Sequence, residues 1–133
     1  MTSPKRSACV ELLLDTHIVL AWLLGEDGLG SRAEQQLEDP SDQLIVSAVV
    51  VWEVAIKRAL GKLEVPMTFV ADVIESDAEK LPVSLEHAAG VERLPHHHRD
   101  PFDRLLVSQA LTERATIVSG NAAIADYDVP VLW

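Results

Sequence analysis

Short continuous apolar runs recur along the chain, each ended by a small polar or acidic residue and followed by a stretch with helical spacing. Leu12-Leu13-Leu14 runs into Asp15-Thr16, the pattern of a strand buried on both faces, and a helix is predicted over Thr16–Leu24. A loop at 26–30 leads to a polar helix over Ser31–Leu37. Leu44-Ile45-Val46 reads as a second strand, and Ser47 caps a helix that runs to about Leu60 and stops at Gly61. Trp52, Ala55, Ile56, Ala59 and Leu63 mark the core face of that helix, which leaves Val49, Glu53 and Lys57 on an outer row with Glu53 and Lys57 as an exposed i, i+4 pair. A helix over 67–78 turns Phe69, Val70, Val73 and Ile74 inward. Leu81-Pro82-Val83 is a third strand, put at a sheet edge by its proline, and Ser84 caps a helix over 84–93.

The most strongly marked helix start follows. Asp100 suits the N-cap, Pro101 the first helical position, and Asp103 stands three residues after the cap as in a capping box, with Phe102, Leu105, Leu106, Gln109 and Ala110 on the apolar face. Thr116-Ile117-Val118 is a fourth strand, 122–127 make one or two helical turns, and 129–133 close the chain as a last strand. Strands alternating with helices predict an α/β domain in three layers, a mainly parallel sheet of about five strands covered on both faces.

At 133 residues the chain is long enough for one core and short for two, so 10–133 is read as a single domain and the polar, aperiodic 1–9 as a flexible lead-in; the apolar residues between Arg6 and Asp15 are too few for a signal peptide. The longest apolar run, 44–52, falls far below the roughly 20 residues that span a bilayer. With one cysteine, Cys9, there is no internal disulfide, and a cytoplasmic protein is expected. The net charge of −10 is spread evenly, nine acids and five bases over 1–60 against twelve and six over 61–133, so no basic arm grips phosphate nonspecifically. If the protein handles nucleic acid, a metal ion or local basic residues must offset its charge.

The candidate chemistry lies in the acids. Asp15 ends the first strand, at the sheet edge where open α/β folds place their sites, and it is equally a good N-cap. Asp103 sits at a helix mouth, where the dipole favours the ionised state that also binds a hard divalent cation; capping and metal binding fit it alike. Three consecutive histidines, 96–98, read as a solvated loop rather than a zinc site, since neighbouring residues rarely face one ion and no cysteine supports them.

Asp15, Glu53, Asp103 and the turn from Ser119 to Asn121 are far apart in sequence, yet most fall at strand ends or helix starts. Together with Leu13-Leu14-Asp15-Thr16-His17, the block Trp52-Glu53-Val54-Ala55-Ile56-Lys57 with Leu60-Gly61-Lys62-Leu63, and His98-Arg99-Asp100-Pro101-Phe102-Asp103-Arg104-Leu105-Leu106, this order resembles the PIN domain, specifically the VapC ribonuclease toxins of VapBC toxin–antitoxin modules. The resemblance runs from Leu12 to Trp133 and implies a PIN-like fold and metal-dependent endoribonuclease action. Mg²⁺, or Mn²⁺, would be held by Asp15, Asp103 and Glu53, with Asp100 supporting the metal or capping its helix. Arg99, Arg104, Lys57 and His17 would offset phosphate charge at the rim. An RNA substrate, a homodimer and a cognate antitoxin encoded by a neighbouring gene are implied as well. At the family's fourth acidic position Ser119 matches but Asn121 replaces the acid, and its amide supplies no charge. That departure motivates a second reading, a catalytically weakened PIN domain serving mainly as a protein-binding module. A haloacid-dehalogenase-like phosphatase would need an acid two residues after Asp15, where His17 stands.

Overall fold

The computed structural model describes residues 10–25, 29–97 and 99–133. The lead-in expected over 1–9, with Cys9, the start of the 26–30 loop and His98 lie outside the described residues. Five strands, β1 (Glu11–Leu14), β2 (Gln43–Ser47), β3 (Glu79–Leu81), β4 (Thr116–Val118) and β5 (Val131–Leu132), form one parallel sheet in the order β3-β2-β1-β4-β5. Leu13 of β1 faces Ile45 on one side and Ile117 on the other, so β1 is the central strand. Its side chains alternate between two cores. Leu12 and Leu14 pack with helices α1 (Thr16–Leu24), α2 (Ser31–Leu37), α3 (Ala48–Ala59) and α4 (Phe69–Glu75) through Ile18, Ala33, Val50 and Phe69. Leu13 joins Leu106, Val107 and Ile124 of α6 (Pro101–Glu113) and α7 (Ala122–Ala125) on the other face. Burial on both faces is why this strand carries an unbroken apolar run, and the three-layer α/β/α arrangement follows.

Several elements shift from the pattern-based expectation. The third strand is Glu79–Leu81 rather than 81–83, because an edge strand tolerates the exposed Glu79 and Lys80, and Pro82, which has no N–H to give the ladder, falls just past its end. The helix expected over 67–78 is confined to Phe69–Glu75; Phe69 and Val73 are buried, but Val70 and Ile74 face outward. On α3 the buried face is Val49, Val50, Glu53 and Val54, while Trp52 and Ala55 are exposed and Ile56 and Leu63 half-buried. The first turn of that helix is apolar on all sides, so spacing alone could not select the face. The helix over 84–93 divides into α5 (Leu85–Gly90) and a 3-10 turn, Val91–Arg93. Gly90 is required there, since a Cβ would come within 2.5 Å of Ser108 Oγ, the hydroxyl that donates to the His87 carbonyl and draws α5 onto α6.

Two buried polar side chains tie the layers. Gln109 accepts from Ser47 Oγ at 2.5 Å and donates to the Pro82 carbonyl at 3.2 Å, joining α6 to the ends of β2 and β3. Arg104 is only 8% exposed. Its guanidinium donates to the carbonyls of Pro95 (2.7 Å), Val91 (3.1 Å) and Leu94 (3.4 Å) and to Tyr127 Oη (3.1 Å). It thereby fixes the 91–95 segment and Tyr127 around the first turns of α6. Among the described residues no helix is long and apolar enough to cross a membrane.

Arg104→Met keeps the stem and removes the donors, leaving carbonyls of the 91–95 segment without the guanidinium. We expect a loss of about 2–4 kcal/mol, read as a lower urea midpoint at unchanged slope. A loss well under ~1 kcal/mol would place the guanidinium outside the stability of the fold.

Candidate functional site

The chain leaves β1 toward β2 and β3 on one side and returns to β4 and β5 on the other, so the strand order reverses at β1. The C-terminal ends of β1 and β4 flank the crevice that such a reversal opens. Asp15 follows β1 directly. Its N–H donates to the Val118 carbonyl at 3.2 Å, prolonging the ladder, and its Oδ1 accepts from the Ile18 N–H at 3.0 Å. The capping reading of Asp15 is therefore correct, and the same residue stands at the sheet edge. Burial pushes its carboxyl above the usual range, against hydrogen bonds from Ser119 and the Ile18 N–H and the field of His17; Glu53 adds to the rise.

Glu53 is buried rather than exposed. Its Oε1 accepts from Thr16 Oγ1 at 2.6 Å and its Oε2 from Lys57 Nζ at 2.6 Å. The expected i, i+4 pair with Lys57 thus exists, but its acid points inward and its base sits at the surface. Lys57 is held more firmly protonated than an ordinary lysine, first by the hydrogen bond to Glu53, then by the fields of Glu53, Asp100 and Asp103, with desolvation opposing.

Asp100 and Asp103 part company. Asp100 is exposed and caps α6, its Oδ1 accepting from Phe102 N–H at 2.8 Å and Asp103 N–H at 3.2 Å. Asp103 is half-buried, and its carboxyl is pushed up to about 6 by burial and then by the negative fields of Asp100, Glu53 and Asp15. Asn121 opposes this, its Nδ2 donating to Asp103 Oδ2 at 3.1 Å. The other end of the same amide accepts from the Ala123 N–H at 2.9 Å and caps α7, while the Asn121 N–H donates to Ser119 Oγ at 3.0 Å. Asn121 therefore faces Asp103.

The four acids act on one another through space, yet among the described residues no three His, Cys, Asp or Glu side chains are gathered closely enough to hold one metal ion. Glu53 is taken by Lys57 and Thr16, and Asp103 by Asn121. In kind the donors fit a hard divalent cation, being carboxylates with an amide and a hydroxyl nearby. The negative fields of Asp100, Glu53 and Asp15, which add to burial in raising Asp103, are ones a cation would relieve.

Of the expected rim cations, Arg99 and His17 are exposed and Lys57 is paired with Glu53. Arg104 does not belong to the rim: it is buried, and its donors are directed at backbone carbonyls and Tyr127. His96 and His97 are exposed, the latter packing edge-on against Tyr127 at 5.1 Å between ring centroids. Sequence reasoning gave no role to Thr16, whose buried hydroxyl orients Glu53. The signal was available, since a hydroxyl one position after an N-cap acid lies beside that acid.

No curated protein matches the chain in sequence. Among solved structures, the fold is similar to VapBC2 from Rickettsia felis bound to a promoter DNA fragment, with TM-score 0.69 and 16% identity over 92% of this chain and 98% of that one. It is also similar to DNA-bound VapBC from Salmonella typhimurium, with TM-score 0.66 and 14% identity over 92% and 97% of the two chains. FitAcB from Neisseria gonorrhoeae gives TM-score 0.61 and 18% identity over 92% and 96%. At such identities the likeness is one of fold. The family model described as the PIN domain matches residues 12–130, nearly all of the domain, and the chain belongs to the PIN domain family.

Proposed function

We propose that this protein is a VapC-type toxin, an endoribonuclease that cleaves RNA phosphodiesters with a divalent metal, Mg²⁺ or Mn²⁺. The observation that carries the reading is the meeting of carboxylates at the strand-order reversal of a PIN fold, where burial first and then the fields of Asp100, Glu53 and Asp15 hold Asp103 at about 6. Asp15, Asp103 and Glu53 would hold the ion. When bound, it supplies charge relief for the phosphoryl oxygens and a water made more acidic. The chain's own groups do the rest. Thr16 and Lys57 orient Glu53, Ser119 hydrogen-bonds Asp15, and Asp100 caps α6 while adding its field to Asp103. Arg99 and His17 stand exposed to meet phosphate. The likeness to the two VapBC structures and to a toxin–antitoxin complex from Klebsiella pneumoniae supports a cognate antitoxin from a neighbouring gene as the partner. A homodimer and a cytoplasmic location belong to the same reading. One observation favours the alternative of a weakened enzyme kept as a binding module: Asn121 gives Asp103 a hydrogen bond where a fourth acid would give charge.

The direct test is cleavage of cellular RNA by the purified protein with and without Mn²⁺, followed by sequencing of the new 5′ ends. Asp15→Ala and Asp103→Ala should each lower metal-dependent cleavage on the order of a hundredfold or more while the fold persists. Parental rates in either variant would remove that residue from the site.

The raised Asp103 carboxyl has a signed consequence. Its folded-state value lies above the ordinary 3.8, so the folded protein binds this proton more tightly than the unfolded chain. Ionising Asp103 therefore costs stability as pH rises through about 6, and acidification restores it. Asp103→Asn should melt at a higher temperature than the metal-free parent at about pH 7, and the gap should narrow toward about pH 5. A gap independent of pH would deny the raised Asp103 carboxyl.

Asn121→Asp retains the α7 cap and exchanges a donor to Asp103 for a like charge. The metal-free protein should lose stability, while Mn²⁺ affinity rises about tenfold, or ~1.4 kcal/mol. Calorimetric titration and melting curves of the Asn, Asp and Ala forms check this; equal affinities would place position 121 apart from the metal.

A further inference from the structure

The candidate acids have a neighbour that charge alone does not explain. Trp52 precedes Glu53 on α3 and is 49% exposed, a large aromatic left open to solvent on a rigid helix. Its indole is nonetheless fixed, packed edge-on against Phe102 with ring centroids 4.9 Å apart and planes at 68°. Beside it opens a cavity of about 350 Å³ walled by Trp52, Ala88, Val91, Pro101 and Leu105, with Arg99 among its lining. This is the small end of the range for ligand sites, roughly 300–1,000 Å³.

We propose that this cavity binds one unpaired nucleobase of the RNA, stacked on Trp52 with Arg99 at the adjoining phosphate or base edge. The inference rests on the ribonuclease reading and deepens it by naming what the site recognises. The cavity shares two helices with the acids: Trp52 precedes Glu53 on α3, and Pro101 and Leu105 flank Asp103 on α6, while Ala88 and Val91 complete its wall. On the proposed reading, a strand with a phosphate at Asp103 runs along the first turns of α6, whose Pro101 and Leu105 wall the cavity. Single-stranded RNA is read by stacking unpaired bases on aromatic rings, which needs no broad basic surface. That suits a chain with net charge −10. An apolar side chain of a protein partner would also fill a pocket. The groove of about 590 Å³ between α3 and α4, walled by Val51, Ala55, Val70 and Ile74, offers such a side chain more apolar wall. Trp52 and a basic residue line both, Lys80 in the groove and Arg99 and Arg104 in the cavity; the smaller cavity is set apart by its α6 wall, Pro101 and Leu105, which bracket Asp103 in sequence.

The test is a double-mutant cycle on RNA cleavage. Steady-state rates in Mn²⁺ are measured for the parent, Trp52→Leu, Trp52→Phe and Arg99→Gln on an oligonucleotide spanning a mapped cut, and on the same oligonucleotide made abasic at each position in turn. Trp52→Leu should raise KM roughly five- to hundredfold with little change in kcat, the scale of one lost base–aromatic stack, and Trp52→Phe should recover part of it. One abasic position should weaken the parent by a similar factor and Trp52→Leu hardly further. Arg99→Gln should raise KM and reduce its salt dependence. An active Trp52→Leu enzyme with parental KM, or abasic effects equal in parent and variant at every position, overturns the proposal while leaving the ribonuclease reading intact. So does a Trp52→Leu protein of parental KM whose oligomeric mass or antitoxin binding has changed, since the cavity then serves a protein contact. A parent that cleaves no RNA overturns both readings. Circular dichroism guards against misfolding, and a sole-tryptophan form, Trp22→Phe with Trp133→Phe, gives an independent readout: Trp52 fluorescence must be quenched by the intact oligonucleotide and not by the abasic one.

Discussion

Like charges confined at the mouth of a buried crevice repel, and much of the local structure here offsets that repulsion. Asp15 is stabilised by the amide at the start of α1 and by Ser119, Glu53 by a hydroxyl and an ammonium, and Asp103 by the amide of Asn121. The counterweights come from α1, α3 and the turn after β4, so the crevice stays together only while β1, β4, α3 and α6 keep their places. The hydrophobic layers set those places, since Leu12, Leu13 and Leu14 alternate into two cores that between them hold α3 and α6, the helices of Glu53 and Asp103. The cores supply the stability, and the acids draw on it.

The buried ties show how the layers stay in register. Gln109 spans the ends of β2 and β3 from α6, and Arg104 gathers the 91–95 segment and Tyr127 around the same helix. Both sit on α6, within two turns of Asp103, so the helix that presents the most perturbed acid is also the one most firmly anchored by polar contacts. Its opening turn is made rigid at the N-terminal end by Asp100 and Pro101.

What was legible in the sequence follows from range. Strand β1, the span of α1 and the start of α6 were readable because each is dictated by neighbours: a two-faced apolar run, an N-cap acid, an Asp-Pro pair. The acids were readable as a set through their resemblance to the PIN family. The face of α3 was not, because Val49, Val50, Val51 and Trp52 offer apolar surface in every direction; only contact with the sheet and with Thr16 turns Glu53 inward and Trp52 out. Arg104 was misplaced at the rim for a similar reason. Its partners are carbonyls 9 to 13 residues back and a tyrosine 23 residues ahead, which no local pattern announces. The contact of Asn121 with Asp103, 18 residues apart, is likewise a product of the strand order.

The pairing of Lys57 with Glu53 has a consequence for how the crevice senses its surroundings. An ammonium on the same helix as its carboxylate is never diluted, whereas a metal ion competes for that carboxylate only in proportion to its free concentration. On the proposed metal reading, the crevice would compare dissolved divalent ion with a fixed internal cation. Below the balance point the protein would rest in a self-neutralised form, and above it Lys57 would be displaced toward solvent as a free positive charge beside the acids.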